Sequence, residues 1–310
     1  MIEVIKPGLL TTVQDQGRWG YQCYGVAVAG AIDLFALASA NCLVGNPEGT
    51  AGLEITVLGP TLRFQRETTF AVAGADLGLR LNGESISNWT CHLAQAGALL
   101  DFAGRKSGLR AYLAVSGGIR VPPTMDSRAT YLLGGFGGLE GRALKSRDYL
   151  PTAPPEADLR NFVGRVFPKD LRPPYRKNPT LRVVPGPFDD FFSREAIQAF
   201  FSTEYTITPQ SDRMGYRLRG EPLRRRKPKE LISCGLANGT IQVPPDGQPI
   251  ILLADRQSIG GYPIIATLVL ADLPLIAQCA PGDRVRFSPL SIDEAREEYL
   301  RLWGSLRNFS

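Results

Sequence analysis

What this chain lacks narrows its chemistry before anything it contains. Its 310 residues hold one histidine, His92, and five scattered cysteines, Cys23, Cys42, Cys91, Cys234 and Cys279. With no CxxC step and no second imidazole, a zinc site and a histidine-dependent catalytic triad both drop out of contention. An odd number of isolated thiols gives no disulfide framework, which fits a reducing cytoplasm, and the cysteines read as small core residues. No apolar run approaches the ~18 residues of a membrane span. The opening Met1-Ile2-Glu3-Val4-Ile5-Lys6-Pro7 has no charged leader ahead of an apolar stretch, so neither membrane nor signal peptide is expected. The glycine clusters Gly117-Gly118 and Gly134-Gly135-Phe136-Gly137-Gly138 lack the Gly-Lys-Ser or Gly-Lys-Thr step of a phosphate loop.

The formal charge of +5 hints at nucleic acid, yet only Arg224-Arg225-Arg226-Lys227-Pro228-Lys229 is densely basic. Without interleaved aromatics that run reads as a solvated loop, and no nucleic-acid partner is expected.

Turn formers are abundant, with 33 glycines and 24 prolines spread along the chain. That density predicts many short strands rather than long helices. The length allows two domains or one large β domain. Strands are predicted at Leu53 to Leu58, Leu62 to Phe64, Phe70 to Ala73, Leu109 to Val115, Leu181 to Val184, Thr240 to Val243 and Val285 to Phe287. Three helices are predicted. One is capped by Asp33 and stopped by Gly45, one runs near Phe191 to Phe201, and one follows the capping box Ser291-Ile292-Asp293-Glu294. A proline-rich passage from about Leu150 to Pro179 reads as a crossover between two halves. A weak echo of Gln14–Tyr21 in Gln210–Tyr216, and of Gly59–Phe64 in Gly282–Phe287, is compatible with duplication or with chance.

The stretch Ile250 to Ala271 stands out. The polar triplet Asp255-Arg256-Gln257 and the turn Gly260-Gly261-Tyr262-Pro263 sit between two apolar runs that read as buried strands. Charges wedged between core strands are either paired or line a pocket mouth. On the second reading Asp255 turns a carboxylate to a cavity from a rigid backbone, Gln257 offers an amide donor, and Tyr262 closes the pocket.

Eight segments carry a resemblance to one family. They are Gly8 to Gly20, Gly30 to Asn46, Leu53 to Phe64, Ala71 to Asp76, Tyr112 to Pro123, Gly134 to Leu144, Ser211 to Gly220 and Gly239 to Ala266. In this order they resemble the family of the C component of bacterial 5-oxoprolinase. That family is also labelled KipA, allophanate hydrolase subunit 2, and the biotin-dependent carboxyltransferase domain of urea carboxylase. The resemblance implies a mainly β chain of two cyclophilin-like β-barrel subdomains, residues 1–165 and 180–310, with a few short helices. It implies partnership with a KipI-like B component and an A component of 5-oxoprolinase. It also implies cleavage of 5-oxoproline to glutamate at the expense of ATP, with Mg, in the complex. A KipI-binding antagonist that regulates a histidine kinase stays open. So does a carboxyltransferase or an allophanate hydrolase component for urea-type substrates, where biotin would enter.

Acyl chemistry on a small amide needs anion-binding donors and a positioned carboxylate. Within the matching segments the resemblance directs attention to Asp15, Arg18, Asp33, Asn41, Asp76, Arg128, Asp212, Arg213 and Arg256 as substrate-binding residues, with Asp255, Gln257 and Tyr262 catalytic. Plainer roles compete: ion pairs for Asp15–Arg18 and Asp212–Arg213, a helix cap for Asp33, a turn contact for Asn41. Two departures from the family pattern are visible. Thr124-Met125-Asp126-Ser127-Arg128-Ala129-Thr130 replaces a segment with glycine at Asp126 and serine at Ala129. Arg147 stands where a glycine precedes Asp148, a change expected to be harmless.

Overall fold

The computed structural model describes residues 1–154, 158–226 and 231–309. Two compact units emerge: Met1–Arg18 with Ala29–Arg172 and Gly304–Ser310, and Trp19–Val28 with Pro173–Trp303.

The first unit is built from two antiparallel sheets. The five-stranded sheet runs Leu10–Gln14, Gly52–Thr56, Ser107–Val115, Thr68–Asp76, Cys91–Ala94; the six-stranded sheet is centred on Ile2–Lys6, Thr61–Phe64 and Leu99–Phe102. Side chains from both, including Val4, Phe64, Leu53, Val72 and Leu113, form one core cluster. On Thr68–Asp76 and Ser107–Val115 the alternate residues are buried too. The reason is the helix Leu34–Leu43, which packs on the opposite face of these strands. It is buried almost all round, as its apolar composition requires. The small Ala71, Ala73 and Ala114 on that face let it approach. Cys91, on the neighbouring strand, is buried as well, and burial pushes its thiol up to about 12, so it stays protonated. All five cysteines are free.

The second unit is a closed barrel ordered Thr180–Pro185, Ile264–Leu268, Thr240–Gln242, Ile250–Leu252, Gly215–Arg219, Tyr205–Ile207, Arg284–Pro289. Its helix Arg194–Ser202 is capped by Ser193 and lays Phe200 on Phe287, ring centroids 4.5 Å apart. That start is later than the predicted one because Asp189–Phe191 forms a short 3-10 turn. The capping box at Ser291 and Glu294 is formed in both directions, and Ile292–Arg307 follows it. A short helix, Leu273–Ala277, was not predicted; five residues with proline in the first turn leave too little periodicity to see.

The mainly β expectation is met, with one closed barrel and one two-sheet unit. The first internal echo falls on different places: Asp15 follows a strand, whereas Asp212 precedes one. Of the basic run, Lys227 to Lys229 lie outside the described residues; Arg225 before them donates to the Val243 carbonyl. No described helix is long and apolar enough to cross a membrane.

Of the replaced residues, Asp126 and Arg147 fall on left-handed backbone. Met125 and Asp126 have φ of 53° and 61°, forming the turn of a bridge between Thr124 and Ser127. Arg147 has φ of 72°, so the substitution expected to be harmless places a long side chain where glycine is preferred. Arg147→Gly is expected to stabilise the chain by about 1 kcal/mol, read as a rise in the urea midpoint without a change in slope.

Candidate functional site

In the first unit, the end of the strand Leu10–Gln14 delivers Asp15 to the segment Ser127–Ala129. One carboxylate oxygen accepts from Ser127 Oγ at 2.7 Å and from the Gly17 amide at 2.8 Å; the other accepts from the Arg128 amide at 2.5 Å. Asp15 therefore fixes the backbone that carries Arg128. The Arg128 side chain is then aimed by its Nε, which donates to the Val121 carbonyl at 3.0 Å. Its two terminal nitrogens make no hydrogen bond or ion pair with any described residue. Arg18 is buried beside the same segment, donating to the Ala129 carbonyl, with its guanidinium 4.9 Å from the Phe136 ring centroid. Asp15 and Arg18 thus serve one loop through different partners.

A second brace comes from the helix Leu34–Leu43. Asn41 Nδ2 donates to the Thr50 carbonyl at 2.7 Å, and Asn46 Nδ2 donates to Asn41 Oδ1 at 3.0 Å. Asn46 Oδ1 accepts from the Gly117 amide at 2.9 Å. Gly117 has φ of 79°, and a Cβ there would lie 2.4 Å from the Ala153 carbonyl oxygen, so only glycine fits. Asn41 keeps the turn role, extended by one residue into the wall of a cleft.

That cleft holds about 290 Å³ and is lined by Asn46, Thr50, Gly117, Ile119, Arg120 and Arg128, with Pro47, Gly49 and Ala51. Two arginines line it and no acidic residue does. The Arg120 side chain is exposed and has no partner among the described residues; only its backbone amide is engaged, with the Pro151 carbonyl at 2.8 Å.

The second unit gives a different result. Asp255 is 3% exposed, and both its oxygens accept from Arg213, at 3.0 Å from Nε and 2.9 Å from Nη2. The expectation that Asp255 turns its carboxylate toward a cavity is corrected: the buried guanidinium takes both lone-pair directions. Arg256 is buried as well, donating to the carbonyls of Leu236 and Leu253, and burial lowers its pKa to about 10, still charged at neutral pH. Gln257 is exposed, and Tyr262 is 45% exposed with its carbonyl accepting from Gln242. Of the three residues expected to act together, two face solvent and one is sealed. Asp212 caps its own turn through the Met214 and Gly215 amides.

Asp33 is fully buried and accepts from the Ala36 amide at 2.9 Å, so the cap is its role here. Asp76 lies at a half-exposed surface turn beside Lys106. Arg120 and Asn46 lie in matching segments, yet sequence reasoning misses them, because arginine and asparagine in loops carry no spacing signal of their own. It also misses Glu54, a lone charge in an apolar strand whose carboxylate is buried against Tyr112.

The family model described as "Carboxyltransferase domain, subdomain A and B" matches residues 24–289. The chain belongs to this carboxyltransferase-domain family. Among its relatives is the C component of 5-oxoprolinase from Escherichia coli, 41% identical over 95% of this chain and 93% of that protein. The urea amidolyase of Lachancea kluyveri is 35% identical over 95% of this chain, which spans only 17% of that much longer protein. The crystal structure of Kluyveromyces lactis urea amidolyase superposes on the whole chain with a TM-score of 0.94 at 33% identity, covering 20% of that structure. Arg120, Arg128, Asp255 and Tyr262 all fall inside the span matched by the carboxyltransferase-domain model.

Proposed function

We propose that the chain is the C component of an ATP-dependent 5-oxoprolinase. It acts in the cytoplasm with a KipI-like B component and an A component to convert 5-oxoproline to glutamate. One observation supports this reading above the others: similarity runs over most of both proteins, 95% of this chain and 93% of its E. coli relative. The chain matches most of that relative and a small part of the urea amidolyases. Gln257 and Tyr262 on the exposed loop of the second unit remain proposed contributors to the reaction, and Asp255 a residue that positions them.

ATP and Mg are assigned to the assembled complex. Among the described residues no group of three or more His, Cys, Asp or Glu side chains is placed to hold a metal ion. The glycine clusters lack a phosphate-loop spacing. A carboxyltransferase that takes a urea-type compound is the second reading, supported by the urea amidolyase superposition; biotin would enter only there.

Reconstitution decides between them. Purified chain mixed with the A and B components is expected to release glutamate from 5-oxoproline only when ATP is present. A folded complex that releases none, when the E. coli relative in the same place does, would overturn the reading. Transfer of the carboxyl group to urea from a carboxybiotinylated carrier, regenerating the biotinylated carrier, would instead establish the second.

A further inference from the structure

We infer that the cleft of the first unit is an oxyanion subsite that holds the carboxylate of the substrate through Arg120 and Arg128. The cleft carries two arginines, no acidic residue, and about 290 Å³ of space, near the lower end of small-molecule pockets. Arg128 is the better positioned of the pair. Asp15 holds its backbone and the Val121 carbonyl takes its Nε, leaving the two terminal nitrogens of this cleft-lining residue without a hydrogen bond or ion pair among the described residues. Arg120 supplies a second, exposed fork from the far side of Ile119 in the sequence. Two planar forks without an internal counter-ion suit a planar oxyanion, which can accept parallel hydrogen bonds from each. Thr50, whose hydroxyl makes no hydrogen bond to any described residue, adds a neutral donor to the same wall.

The identity of the acid rests on the 5-oxoprolinase reading; the existence of the subsite does not. 5-Oxoproline carries its one carboxylate on the ring carbon beside the lactam nitrogen, outside the amide bond that is cleaved, so the arginines bind and orient the molecule and take no part in bond breaking. A phosphate offers related chemistry, and the test separates the two.

Calorimetric titration of the chain and of the assembled complex should show 5-oxoproline binding. The lactam 2-pyrrolidinone, which lacks the carboxylate, should bind at least about 10-fold more weakly, in line with the loss of charged hydrogen bonds. Arg120→Gln should weaken 5-oxoproline about 10-fold, the size of one charged hydrogen bond. Arg128→Lys, which keeps charge but loses the fork, should do the same while melting like the parent. In the active complex both losses should fall mainly in KM. Equal binding of the two lactams, or unchanged affinity and KM in both folded variants, would overturn the inference. Inorganic phosphate binding in an Arg120-dependent way, with 5-oxoproline unaffected by either variant, would overturn the carboxylate assignment. A complex without 5-oxoprolinase activity that still binds the acid through Arg120 would sink the functional reading and leave the subsite standing.

Discussion

Arg213→Ala is expected to cost about 3–5 kcal/mol of stability, the range for removing one member of a buried ion pair. The pair is nearly sealed, with the two side chains 6% and 5% exposed. Two parallel hydrogen bonds join it, and the Asp255 amide also donates to the Arg213 carbonyl at 3.0 Å. Deleting the guanidinium leaves the carboxylate buried against the end of the barrel strand Ile250–Leu252 with its principal counter-charge gone. The loss should appear in urea denaturation and, by hydrogen exchange, in the amides of that strand and of Gly215–Arg219, which pairs with it. The double variant Arg213→Met with Asp255→Leu should recover most of the loss, since an apolar pair carries no desolvation cost. A single variant within about 1 kcal/mol of the parent, well below that range, would show that the pair is not holding the loop. The same residues test catalysis: Asp255→Asn in a complex that still folds and turns over at the parental kcat would remove Asp255 from the reaction.

How much a sequence reveals of each residue depends on the range of the signal it emits. The helix Leu34–Leu43 is legible at both ends because Asp33 and Gly45 are local signals that act within a single turn. Strand interiors are legible from their β-branched and apolar runs, and their ends slip by up to three residues because pairing partners set them. The pair Arg213–Asp255 is not legible. The sequence places Asp212 next to Arg213, and only the pairing of Gly215–Arg219 with Ile250–Leu252 brings a residue 42 positions away into bidentate contact. The cleft is half legible: Asp15, Asn41 and Arg128 are marked by their segments, but their convergence depends on long-range contacts such as Asp15 to Ser127. Arg147 looks harmless in the sequence because identity alone does not reveal a positive φ.

Glu54→Ala should cost the first unit about 3–5 kcal/mol, again the penalty for breaking a buried charge pair, and more than Tyr112→Phe. Glu54 and Tyr112 are register partners on neighbouring strands, on the face that meets the helix Leu34–Leu43. The Tyr112 hydroxyl donates to Glu54 at 2.8 Å and accepts from the Asp33 amide at 2.9 Å. The same Glu54 oxygen accepts from the Ile32 amide at 3.0 Å, and Arg110 lies 3.8 Å from the other oxygen. Donating and accepting at once requires a protonated phenol. Burial first, then the neighbouring Glu54 and Asp33 charges, hold Tyr112 well above the usual tyrosine range. One buried carboxylate thus anchors the residues that lead into the helix, while its end braces the cleft through Asn41. Tyr112→Phe removes one hydroxyl and should cost about 1–3 kcal/mol, the penalty for leaving buried polar groups unsatisfied. Glu54→Ala removes the acceptor for two donors and the anion beside Arg110 together. Urea denaturation ranks the two variants, and a Glu54→Ala loss smaller than that of Tyr112→Phe would show that the carboxylate is not what holds this helix entry in place.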